Sequence, residues 1–184
     1  MPSDLERTAY HEAGHFVASR ALELDDTHSI SIIPDDERGT AGHAVTDSME
    51  RWVDERENPS PEKRKKLVVS LCAGFAAQRR FDPDEPEDNA RAGAEDDFQK
   101  ARLWGDALDL EQGLLEAHTL VTDHWATVEI VARALLIRKK LDGQEAEAGI
   151  AVVEGSYDHA SWILHHEYGW SDDDVAALTA MPFG

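Results

Sequence analysis

The sequence predicts a mainly α fold with one small β-hairpin, an α+β arrangement in which helices dominate. Two long stretches carry apolar residues at helical spacing: Leu5, Ala9, Ala13, Phe16, Val17 and Ala21 near the start, and a continuous stripe through residues 111–141. A third observation sets the β content, because alternating, β-branched runs fall at residues 28–33 and 40–46 with a polar turn between them. With 184 residues the chain is long enough for one domain with a core and short for two of ordinary size. Residues 1–184 therefore read as a single domain.

The first helix covers residues 4–24. Ser3 and Glu6 have capping-box spacing at its start. Inside it lies His11-Glu12-Ala13-Gly14-His15. His11 and His15 are i and i+4, so their rings leave one face of the helix one turn apart and can share a divalent ion. Glu12 is rotated by about 100° from His11, out of the ligand plane but near a water on such an ion, the position of a general base. Two solvent-facing histidines would produce the same string, but the surrounding apolar pattern argues against that. Gly14, which lowers helix stability by about 1 kcal/mol relative to Ala, suggests that another backbone or a ligand passes close by.

Residues 28–33, His-Ser-Ile-Ser-Ile-Ile, form a strand that stops at Pro34. Residues 40–46 return antiparallel to it. Gly42 weakens this second strand and suggests a bulge or the approach of another chain. If the strand lies at an edge, Gly42, His43 and Ala44 can receive an extended peptide by strand addition; equally, the hairpin can be a cover for the first helix.

Residues 47–66 are highly charged and end in a helix start, with Ser60 as N-cap and Pro61 at the first helical position. Residues 67–77 are apolar on nearly every side, which marks this helix, ending near Arg80, as the buried centre. Two prolines and five acidic residues make residues 81–92 a loop and the segment of lowest expected order. The next helix begins at Ala94 or Glu95. Asp97, Ala101, Trp104 and Leu108 fall at i, i+4, i+7 and i+11, so Asp97 points with the apolar residues and Asp96 does not. An inward carboxylate needs a partner such as a metal; capping of the first turn explains an aspartate there equally well.

Residues 111–141 read as one long helix with basic residues in its last turn and Gly143 beyond it. His118 and His124 do not share a face and read as surface residues. The tail, residues 146–184, reads as a helical extension with helices at 157–168 and 172–180, the second capped by Ser171. His159 and His166 are explained by amphipathic packing.

The formal charge of −20, from 18 basic and 38 acidic residues, disfavours nucleic acid and anionic membranes as partners. Cys72, the single cysteine, lies in an apolar run and reads as a buried thiol in a reduced compartment, which with the absence of a signal-peptide pattern gives a cytoplasmic expectation. No P-loop string is present.

Five stretches, in order, resemble the peptidase domain of the FtsH-type zinc metalloproteases: residues 8–18 (T-A-Y-H-E-A-G-H-F-V-A), the Ser-Ile-Ile-Pro hairpin followed by Gly42, residues 71–77 (L-C-A-G-F-A-A), residues 93–101 (G-A-E-D-D-F-Q-K-A) and residues 120–143 ending L-I-R-K-K-L-D-G. The resemblance spans about residues 5–145. It implies a zincin-like helical peptidase domain with zinc held by His11, His15 and, by alignment on Gly93, Ala94 and Ala101, Asp97, with Glu12 as the catalytic base. Where the family carries a glutamate after the A-G-x-A-A run, this chain has Gln78, which alters the hydrogen-bond support of the ligands.

The expected function is a zinc metallopeptidase acting on peptides or unfolded segments as a stand-alone domain, without its own ATPase or membrane anchor and with folded substrates delivered by another protein. The alternative is an inactive peptidase-like domain that binds peptides or proteins. Oligomeric state is not readable from the sequence.

Overall fold

The computed structural model describes residues 1–24, 27–34, 43–46, 59–105 and 108–180. Helix α1 (Asp4–Ala21) starts with the expected capping box: the Ser3 hydroxyl accepts from the Glu6 amide, and the Glu6 carboxylate accepts from the Ser3 amide. The helix ends at Ala21, before residue 24, because Glu23 turns the chain with a φ of 53°.

Strands β1 (Thr27–Ser31) and β2 (His43–Thr46) pair antiparallel, with Ile30 opposite Ala44 and Ser31 opposite His43. A third strand, β3 (Lys140–Asp142), joins the other side of β1 with Leu141 opposite Ile30. Ile30 and Leu141 are both fully buried, so this cross-strand pair seats the sheet on the helical core. β2 lies at one edge of the described sheet.

Helix α2 (Pro61–Phe81) is the centre. Ser60 caps it by accepting from the Lys63 amide at 3.2 Å, and Pro61 occupies its first turn, as the sequence indicates. Every residue from Leu67 to Gln78 is buried, because α1 packs on one side, α5 (Leu110–Asp123) on another and α4 (Glu95–Arg102) on a third. Burial on all sides is why this helix shows no single apolar stripe.

Three expectations are corrected. Residues 81–92 are not a loop throughout: helix α3 (Glu87–Gly93) starts after Pro86, and the turn before it is fixed by Asp82, which is buried and paired with Arg7 at 2.9 Å. The single long helix of residues 111–141 is two, α5 and α6 (Trp125–Arg138), broken at His124, and it closes at Lys139 with a φ of 68° so that residues 140–142 enter the sheet. Gly143, expected to terminate a helix, begins one: Asp142 and Glu145 form a capping box on α7 (Gly143–Glu154). Helices α8 (Tyr157–His166) and α9 (Asp172–Thr179) complete the tail, with Ser171 capping α9 as expected. Among the described residues no helix is long and apolar enough to cross a membrane.

Candidate metal centre

The site forms where α1 crosses α2 and the first turn of α4 meets both. Close crossing depends on two glycines. A Cβ on Gly14 would lie 2.5 Å from the Ala73 carbonyl oxygen and 2.7 Å from the Ala77 Cβ, so the α2 backbone is the close neighbour that this glycine suggests. A Cβ on Gly74 would run into the Nε2 atoms of His15 and His11. Gly74 therefore keeps open the space in front of both rings, a role that sequence reading missed, although the glycine sits in a buried helix where Ala would be favoured.

Three ligand-type atoms converge there. His11 Nε2 and His15 Nε2 are 3.1 Å apart, and Asp97 Oδ2 lies 3.1 Å from the first and 3.2 Å from the second. Both histidines are buried and Asp97 is largely so. A tetrahedral zinc with bonds of 2.0–2.1 Å separates its ligands by about 3.3 Å, close to this triangle.

The opposite ring nitrogens determine what the triangle contains. His15 Nδ1 donates to the backbone carbonyl of Ser70 at 2.8 Å, and His11 Nδ1 donates to Gln78 Oε1 at 3.1 Å. With the Nδ1 atoms protonated, each neutral ring turns a lone pair at Nε2 toward the other ring and toward a carboxylate oxygen. Three acceptors face one another, an arrangement that a divalent cation satisfies. The chemistry of this donor set, two imidazoles and one carboxylate with both imidazoles anchored at the far nitrogen, suits zinc.

Titration behaviour reflects the same crowding. Burial opposes the charged form of His15, yet the charge and hydrogen bond of Asp97, with the Ser70 carbonyl, raise its pKa. Burial acts to raise the pKa of Asp97, but the two histidines outweigh it and hold the carboxyl far below its usual range. Glu12 is buried beside these groups; desolvation, with Asp97 adding to it and His11 opposing, pushes its pKa up to about 7. A carboxyl near that value is suited to taking and returning a proton at neutral pH.

Of the residues singled out in the sequence, His11, Glu12, His15 and Asp97 are brought together. His43 and Ala44 lie on strand β2, at the edge of the described sheet, while Gly42 lies outside the described residues. His118, His124, His159 and His166 are exposed and away from this cluster. Sequence reading missed Ser70, whose carbonyl meets His15 from 55 residues away in the chain, and the bond of Gln78 to Glu85, seven residues on across the turn that follows α2.

Comparison with known proteins bears on this geometry. The chain is 35% identical over 114 residues, 61% of its length, to an ATP-dependent zinc metalloprotease FtsH of Thermus thermophilus, and covers 16% of that protein. It is 30% identical over 110 residues to the ATP-dependent zinc metalloprotease FtsH 3 of Symbiobacterium thermophilum, matching 59% of this chain and 16% of the relative. The chain is similar to the FtsH zinc metalloproteases. An alignment with FtsH of Acholeplasma laidlawii extends over 98% of the chain at 23% identity and covers 27% of that relative. The chain thus spans about a sixth to a quarter of the length of these FtsH proteins. No family profile matches it.

Proposed function

We propose that this chain is a zinc-dependent metallopeptidase that hydrolyses peptide bonds in peptides or unfolded segments, with His11, His15 and Asp97 holding the ion and Glu12 as the base. The observation that carries the reading is the triangle of three acceptors, 3.1 to 3.2 Å on each side, with a buried carboxyl beside it. Similarity to FtsH proteins supports zinc and proteolysis in particular.

When bound, zinc supplies a Lewis acid that acidifies water and polarises a peptide carbonyl. The chain's own residues do the rest. Ser70 and Gln78 hold the imidazoles with their Nε2 lone pairs directed into the site. Glu12 takes the proton of the attacking water and passes it to the leaving amine. Asp97 adds the negative charge that favours a divalent ion over none. Strand β2, at the edge of the described sheet, supplies His43 and Ala44 and with Gly42, next to them in sequence, is the proposed receptor for an extended substrate, held through main-chain hydrogen bonds. Strand addition requires an extended segment, so the substrates are peptides and unfolded chains; folded proteins would have to be delivered by a partner, and the acidic surface argues against nucleic acid or anionic membrane in that role. A cytoplasmic setting suits the unpaired, buried Cys72.

The test is incubation of the zinc-loaded protein with casein, in parallel with Glu12→Gln. Cleavage by the parent chain and a loss of about a hundredfold or more in the variant, with zinc retained, is expected. Undiminished cleavage by Glu12→Gln overturns the assignment of the base. Zinc bound by a chain that cleaves no unfolded protein would favour a binding module.

A further inference from the structure

The two histidines are anchored by partners of different kinds. His15 Nδ1 faces a backbone carbonyl, which can only accept and cannot turn around. His11 Nδ1 faces the side-chain amide of Gln78, which can. With Oε1 toward His11 the ring carries its proton on Nδ1 and keeps a lone pair at Nε2. Rotated by half a turn, the amide would present its NH2 group; Nδ1 would then accept, and the ring proton would sit on Nε2, inside the triangle, where it blocks coordination.

Something must therefore fix the amide, and the structure shows what does. Gln78 Nε2 donates to Glu85 Oε2 at 2.8 Å. A carboxylate only accepts, so it attracts the NH2 group and repels Oε1. Glu85 is itself held: Arg7 Nε lies 3.6 Å from Glu85 Oε1 and donates to Asp82 Oδ2 at 2.9 Å, and Arg79 donates to the Glu85 carbonyl. Arg7 stands one helical turn before His11 on α1, and Arg79 follows Gln78 on α2. The turn between α2 and α3 is thus tied to both helices that build the site.

We propose that Glu85 is a positioning residue for the metal centre: by holding the Gln78 amide oxygen toward His11, it keeps His11 in the Nδ1-protonated tautomer that can bind a metal at Nε2. The consequence for metal affinity rests on the zinc reading above; the consequence for the tautomer does not.

Three variants test this: Glu85→Gln, Gln78→Glu and the double variant Gln78→Glu/Glu85→Gln. In Glu85→Gln the partner amide accepts and donates equally, so Gln78 loses its preferred orientation. In Gln78→Glu two carboxylates face each other at hydrogen-bond distance. In the double variant either oxygen of Glu at 78 accepts from His11 and the amide at 85 donates to the other. Nitrogen-15 NMR of the metal-free proteins at pH 9 reads the tautomer of each ring, and competition with a chromophoric chelator reads zinc affinity. The expected result is a shift of His11, but not His15, toward the Nε2-protonated form in Glu85→Gln, zinc affinity lowered by about tenfold in each single variant, and both properties recovered to within about threefold in the double variant. An unchanged His11 tautomer in Glu85→Gln, a change that affects both rings alike, or a double variant no better than the singles overturns the proposal. If the tautomers respond as described but no protein, the parent included, binds zinc, the positioning claim stands and the metal reading fails.

Discussion

Gly74 lies directly in front of His15, so close that a methyl group on its Cα would collide with the Nε2 nitrogen and with that of His11. Helix propensity alone would make Ala at this buried helical position better by about 1 kcal/mol, so local preference does not account for a glycine here and the space in front of the rings does. Gly74→Ala is expected to keep the fold, read by circular dichroism, while weakening zinc binding by more than about tenfold, because the rings must shift by a few tenths of an ångström or more. Zinc affinity equal to that of the parent chain would show that this space is not needed.

The Asp97 oxygen completes the triangle, and removing its charge while keeping its shape isolates that role. Asp97→Asn is expected to lower zinc affinity by about a hundredfold in chelator competition, since a neutral amide is a poor ligand beside two imidazoles. Retained affinity would remove Asp97 from the ligand set.

Glu12 links the site to pH. Its pKa rises from an ordinary 4.5 to about 7 in the folded, metal-free chain. Below 4.5 both folded and unfolded chains carry the proton, and the full relative stability is present. Between 4.5 and about 7 only the unfolded chain releases it, so stability falls with rising pH and the loss is complete above about 7. The shift corresponds to about 3 kcal/mol. Glu12→Gln lacks this term. Denaturant melts of the metal-free proteins are expected to show the variant gaining about 3 kcal/mol relative to the parent between pH 4 and pH 8; a constant difference across that range would contradict the burial of an ionising carboxyl.

Cys72 should be inert. Burial, with the charge of Asp97 adding to it, pushes its thiol up to about 12. Native protein at pH 8 is expected to show negligible reaction with a thiol reagent over the time in which guanidinium-unfolded protein reacts fully. Rapid labelling of the folded chain would contradict this environment.

How much of this was legible in the sequence depended on the range of the contact. His11, Glu12 and His15 are set by helical spacing within one turn, and the inward direction of Asp97 follows from its period with Ala101. Ser60 and Ser171 identified their helix starts because capping is local. Residues 81–92 misled because acidic and proline-rich composition reads as solvated chain, whereas Asp82 and Glu85 are drawn inward by Arg7, 75 residues away at its contact with Asp82. The break at His124 was invisible, since neither Gly nor Pro interrupts the stripe there. Gly143 after a basic turn has the look of a helix stop, whereas the capping box of Asp142 and Glu145 makes it the first residue of the following helix.

Whether His11, His15 and Asp97 hold a single ion is decided by zinc anomalous diffraction from crystals of the zinc-loaded protein. One peak is expected within about 2.0–2.2 Å of His11 Nε2, His15 Nε2 and an Asp97 carboxylate oxygen. No peak at this site, or zinc bound with Asp97 turned away from both histidines, would contradict it.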